Sequence, residues 1–156
     1  AIAQAGKRGE EAEATRLERE LLESEVADYR RRAELHPTDA GLRLQIGKRL
    51  MRVDDHDSAL TEFQKAVGDP RMEREARFHM AQCFHRKGFL DLARKEYERT
   101  LEGVQGMDER SKEILYNLGS LAEAADDRDE ARAFYARVYE VDIGYRDVAS
   151  KMEQFR

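Results

Sequence analysis

The chain has 156 residues with a net charge of −5, and 39% of its side chains are charged against 40% hydrophobic. That is one domain's length, and the mildly acidic balance excludes a broad basic field of the kind that draws nucleic acid. No run approaches the ~18 apolar residues needed to cross a membrane, and a single cysteine, Cys83, excludes an intrachain disulfide.

The first residues hold too short an apolar stretch for a secretory signal. With the lone cysteine, the expected setting is reducing and cytoplasmic. Residues 1–8 read as a flexible lead. From about Gly9 to His36 the sequence favours helix throughout, rich in Glu, Arg, Ala and Leu. Leu22, Val26, Tyr29 and Ala33 recur at four- and three-residue spacing and make one stripe. Ala14, Leu17 and Leu21 lengthen the apolar set beyond what one packed helix needs, so this surplus either caps the fold or pairs with another chain.

Thr38 or Asp39 can cap the next helix, which runs to about Arg52. Asp54 and Asp55 open a second helix ending near Val67. Gly68 suits its C-terminal cap, and Pro70 suits the first turn that follows. Two more helices are expected near 71–87 and 89–102. Asp108 caps one over 109–125, and another covers 128–141. Gly144 breaks the chain before a last helix over 145–155, which carries Val148, Met152 and Phe155 on one side.

The helices repeat in register. Ala59, Ala93 and Ala131 each precede an aromatic by four residues: Phe63, Tyr97 and Tyr135. Twelve residues before each alanine stands a small residue (Gly47, Ala81, Gly119), preceded by a large apolar one (Ile46, Met80, Leu118). Asp54, Gly88 and Asp126 occupy the turns between helices. The alanine spacings are 34 and 38, and the four extra residues fall in Gly103–Gly106. A period near 34 with this helix-turn-helix pattern marks a helical solenoid.

At Leu118-Gly119, Ala131 and Tyr135, and at Ile46-Gly47, Ala59, Phe63 and Ala66, the chain resembles the tetratricopeptide repeat family. The resemblance covers roughly 38–141. It departs where Arg43, Arg77 and Leu115 stand in place of the large aromatic that opens each first helix. The expected fold is therefore all-α: a solenoid of about three antiparallel helix hairpins. The division is 1–36 for the lead and long N-terminal helix, which ends like the tail of an earlier degenerate repeat. Repeats follow over about 38–69, 70–104 and 107–142 within 37–143, and a capping helix over 144–156.

Little in the sequence suggests catalysis. It has no Gly-rich phosphate loop and no Cys-x-x-Cys pair. His79 and Cys83 share a helix face with His85 nearby, but no second cysteine can complete a metal site, so Cys83 is expected in the core. The acidic groups at Asp54, Asp55 and Asp57, and at Asp126, Asp127 and Asp129, lie at inter-helix turns and read as caps. Neither a catalytic residue, a metal nor a cofactor is expected.

The repeat register instead points to a groove. The first helix of each hairpin would line it with Leu44, Phe78 and Tyr116, with Lys48, Gln82 and Ser120, and with Met51, His85, Arg52 and Arg86. Apolar contacts beside a basic cluster suit an acidic and apolar peptide or helix of another protein. Some members of the family grip a partner's C-terminal carboxylate with asparagines and lysines. Here Asn117 is the only asparagine, and Lys48 stands where such a clamp wants one, so that mode is not expected. The resemblance implies a non-catalytic protein-binding module. The alternatives are a self-associating assembly subunit, a homo-oligomer joined through the N-terminal helix, and the docking domain of a larger protein.

Overall fold

A computed structural model describes residues 1–156 as eight helices without a strand: α1 (Ile2–Leu35), α2 (Ala40–Arg52), α3 (His56–Ala66), α4 (Pro70–Arg86), α5 (Leu90–Leu101), α6 (Glu109–Ala124), α7 (Arg128–Tyr139) and α8 (Val148–Gln154). They form two compact units, Ala1–Lys87 with α1–α4 and Gly88–Arg156 with α5–α8. No helix is long and apolar enough to cross a membrane.

The first unit is built on the α2–α3 hairpin, whose turn follows from three consecutive residues. Val53 closes α2. Asp54 turns left-handed at φ 61°, and its N–H donates to the Met51 carbonyl at 3.0 Å. The Asp55 N–H reaches back to the Leu50 carbonyl at 2.9 Å, while the Asp55 carboxylate accepts from the Ser58 N–H at 3.2 Å. One aspartate thus ends one helix and starts the next, satisfying orphan groups on both. The hairpin closes tightly because Gly47 lies against the Phe63 ring, and a Cβ built on it would sit 2.5 Å from a ring carbon. α1 packs on α2, and α4 packs on α3 and α2. The core between them holds Val26, Ala33, Leu44, Ile46, Leu50, Phe63, Met80 and Cys83.

The second unit repeats this design. Asp126 turns left-handed at φ 58°, the Asp127 N–H donates to the Ala122 carbonyl at 2.9 Å, and the Asp127 carboxylate caps α7 at the Glu130 N–H at 3.1 Å. Gly119 meets Tyr135 as Gly47 meets Phe63, with an added Cβ 2.7 Å from the ring. Gly88, the remaining turn position of the register, is also left-handed at φ 81°. Left-handed backbone is easy for glycine and tolerable for aspartate. Gly103 and Gly106, at φ 71° and 82°, form the bend that the four extra residues add.

Three local expectations are corrected. Residues 2–8 are helical rather than a lead. Ala3, Gln4, Ala5, Lys7 and Arg8 are strong helix formers that outweigh the ~1 kcal/mol each of Gly6 and Gly9. Gly68 is not left-handed; Val67 closes α3 in right-handed geometry, and the Asp69 carboxylate caps α4 at the Arg71 N–H, with Pro70 in the first turn. The last helix begins at Val148 rather than at 145, because the chain reverses at Arg146, φ 46°, not at Gly144.

Candidate functional site

In the first unit α4 presents Glu75, His79, Gln82 and Arg86 at helical spacing, one above the other. α2 meets this row through Lys48, whose ammonium donates to Glu75 at 3.3 Å. Glu75 is 3.6 Å from His79 Nε2, and His79 Nδ1 pairs with Gln82 Oε1 at 2.9 Å. Burial would raise the Glu75 carboxyl, but the charge and hydrogen bond of Lys48, helped by His79, hold it below the usual carboxylate range. The result is a polar ladder with a partly accessible Met51 on α2 and an exposed Arg86 at its end.

The expected groove residues separate by burial and charge. Leu44 and Phe78 are only 3% and 1% exposed, so they are core side chains and offer no surface to a partner. This corrects their place in the groove: both side chains lie in the buried core rather than on a surface open to a partner. Lys48, Met51, Gln82 and His85 are half-buried, while Arg52 and Arg86 are exposed.

Arg52 is occupied in the free chain, pairing with Glu18 of α1 at 2.5 Å. Burial, then the neighbouring Arg86, lowers the His85 pKa below its ordinary value, so it is neutral at pH 7. The basic cluster therefore consists of the exposed Arg86, of Lys48 and Arg52 already paired to glutamates, and of a histidine whose neutral form is favoured. Glu18 lies outside the repeat register and Glu75 recurs only as Glu113, so the sequence marks neither as a partner of the basic side chains. Only the helical spacing of Glu75 to His79 could have flagged one of them.

In the second unit Tyr116 is half-buried, and the chain's own C-terminal segment covers it. Its hydroxyl bonds the Asp147 carboxylate, the Arg146 guanidinium lies 4.9 Å over its ring, and Tyr145 packs edge-on at 6.1 Å. Burial, aided by that hydrogen bond, pushes the Tyr116 pKa up to about 12. Ser120, one turn along α6, is half-buried. Beyond it, Glu123 accepts from the Tyr135 hydroxyl and pairs with Lys151 of α8 at 2.8 Å. The left-handed turn at Arg146 lets residues 145–147 fold over Tyr116, and this is what shortens α8.

The other candidates have structural roles. Cys83 is fully buried, and desolvation pushes its thiol up to about 12, far from a reactive thiolate. Asp55 and Asp127 are helix caps, and Asp57 pairs with Lys87. Asn117 donates to the Tyr97 hydroxyl at 3.2 Å.

A model of the tetratricopeptide repeat matches residues 74–143. Among solved structures the chain is similar to MamA, with a TM-score of 0.74 at 15% identity over 86% of this chain and 76% of that one. It is also similar to YrrB, described as a TPR protein with an unusual peptide-binding site, with a TM-score of 0.68 at 16% identity over 81% and 63%. A third likeness is to the first TPR of Spaghetti (RPAP3) bound to an HSP90 peptide, with a TM-score of 0.62 at 14% identity over 74% and 91%. At these identities the likeness concerns the fold, which is that of the tetratricopeptide solenoids. No curated protein matches the chain in sequence.

Proposed function

We propose that this chain, which carries tetratricopeptide repeats, is a non-catalytic protein-binding module. In this reading it takes an acidic and apolar segment of another protein on the face formed by α2 and α4. The supporting observation is the ladder of Lys48, Glu75, His79 and Gln82, with Met51 and Arg52 in the last turn of α2 and Arg86 in the last turn of α4. Stacked helical repeats present extended surfaces of this kind, and two structures of similar fold are described with peptide-binding sites or bound peptide.

The pairs on this face are exchangeable. The side chains of Arg52 and Glu18 are 62% and 56% exposed, and pairs that exposed contribute ~0–1 kcal/mol. A partner's carboxylates can therefore replace Glu18 and Glu75 at little cost. A half-buried methionine adapts to apolar side chains of different shape. The partner's pairing to Arg52 and Arg86 would set recognition, and Lys48 would fix its register.

The test is the Arg52→Glu/Arg86→Glu variant, with helicity followed by circular dichroism and binding measured on a panel of acidic-apolar peptides. Selective binding by the wild type and its loss in the equally folded variant is the expected result. Equal binding by both proteins would overturn the assignment.

A further inference from the structure

α1 outruns the unit it belongs to. It packs on α2 through Leu22, Val26 and Ala33, yet every residue from Ala1 to Leu21 is exposed. Along this free half, Ala14, Leu17 and Leu21 recur at three- and four-residue spacing, and the two leucines are 53% and 59% exposed. Such spacing is the a/d seam of a helix that lies against another helix. The positions that border the seam are Glu11, Glu13, Glu18, Glu20 and Glu25, without exception glutamate. Residues 10–25 hold seven glutamates and two arginines, a net −5 that equals the charge of the whole chain.

That border argues for one kind of occupant. In a parallel pair of two copies, Glu13 would face Glu18 and Glu20 would face Glu25. In an antiparallel pair, like positions again bring glutamate to glutamate. Flanking charges of one sign oppose self-pairing and select a partner of the opposite sign.

Some of the border is already held within the chain. Arg16 takes Glu13 at 2.6 Å and Glu20 at 3.7 Å, Arg49 takes Glu25 at 2.6 Å, and Arg52 takes Glu18. Glu11 has no such partner, and the carboxylates keep further acceptor sites for added cations. The seam is also short. Ser24 and Asp28 follow Leu21 at the next seam positions and open into a hollow of about 270 Å³ beside Tyr29 and Arg49. Two to three helical turns fit there; a long coiled coil does not.

We propose that Leu17 and Leu21 of α1, with their glutamate border, dock a short amphipathic helix of another protein whose apolar stripe is bordered by lysine or arginine. This site shares the Arg52–Glu18 pair with the face of α2 and α4, but its seam and the rest of its border lie on α1, so it stands without that reading.

The experiment uses the full chain and three fluorescent synthetic peptides of three heptads. One has leucine at the seam and lysine at the flanks, the second has glutamate at the flanks, and the third is a scramble of the lysine peptide. Anisotropy should give at least tenfold tighter binding for the lysine-flanked helix than for either control, weakening as salt shortens the Debye length. Leu17→Asp/Leu21→Asp should lose that binding at least tenfold. Both side chains are exposed and the packed stripe from Leu22 onward is untouched, so circular dichroism should stay unchanged. Equal binding of the scramble, or unchanged binding by the double variant, would overturn the proposal. A dimer mass in light scattering that becomes monomeric in the double variant would overturn it in favour of a second copy.

Discussion

Gly47→Ala tests whether the hairpin is closed by direct contact between helix backbone and ring. The added Cβ would stand 2.5, 2.8 and 2.8 Å from three carbons of Phe63. Carbons rest about 3.5–4.0 Å apart, so the ring must retreat by roughly 1 Å. It has nowhere to go: Phe63 is fully buried and stacked on His79 at 5.4 Å. Overpacking of this kind costs about 1–3 kcal/mol, and replacing a helical glycine by alanine returns about 1 kcal/mol. The net is a loss of up to about 2 kcal/mol, a fall in Tm of up to about 8 °C, in place of the gain of about 1 kcal/mol that an unobstructed helical glycine would give. Thermal unfolding followed by circular dichroism reads it directly. Phe63→Leu removes the offending ring and has its own cavity cost, but Gly47→Ala added to it should cost less than in the wild type. That favourable coupling is the signature of contact. If Gly47→Ala raises the Tm, or if the two changes simply add, the ring does not obstruct a Cβ at this position.

Two further outcomes follow from buried groups. The Tyr116 pKa, pushed up to about 12 by burial and by Asp147, favours the neutral phenol in the folded protein. Its contribution to stability is complete below the ordinary tyrosine pKa of about 10 and is lost as pH rises toward 12. The ultraviolet difference titration between wild type and Tyr116→Phe should therefore have its midpoint well above 10, and a midpoint near 10 would reject the covered ring. Cys83, buried and with its thiol pushed up to about 12, should resist alkylation in the folded chain. Mass spectrometry should show modification at the rate of unfolding and faster modification in Gly47→Ala, whereas rapid labelling of the native protein would contradict its burial.

The elements legible in the sequence were those fixed by short-range chemistry. Asp54, Gly88 and Asp126 stood out as turn formers by residue type alone, and all three are left-handed in the structure. The register marks Gly47 and Gly119 as small positions and Phe63 and Tyr135 as aromatic ones, and the structure brings each glycine against the ring of its own repeat. The groove was harder. The register places Leu44 and Phe78 in the groove but cannot say how deeply neighbouring helices cover them. It could not show that Glu18, far upstream, would meet Arg52, because such a pair depends on where α1 ends up. Residues 145–147 were read as helix because nothing local forbids it. Covering Tyr116 requires a left-handed arginine, and that demand comes from tertiary contact rather than from Arg146 itself.

The two arginines at the end of α2 are held very differently, and the proposed function gives them different work. Arg49 and Arg52 are three residues apart, and each reaches a glutamate of α1. Arg49 is only 21% exposed, and it also bonds Gln45 and stacks 4.4 Å over Tyr29. Removing it would leave Glu25 and a ring face without their partner, so it acts as a clamp that holds α1 in place. Arg52 has the same charge and the same kind of partner but lies in solvent, where its pair is screened and readily exchanged. Desolvation separates the two roles. On the proposed reading, a partner arriving on the face of α2 and α4 would compete for Arg52 without disturbing Arg49, so α1 would stay docked while the surface beside it changes hands.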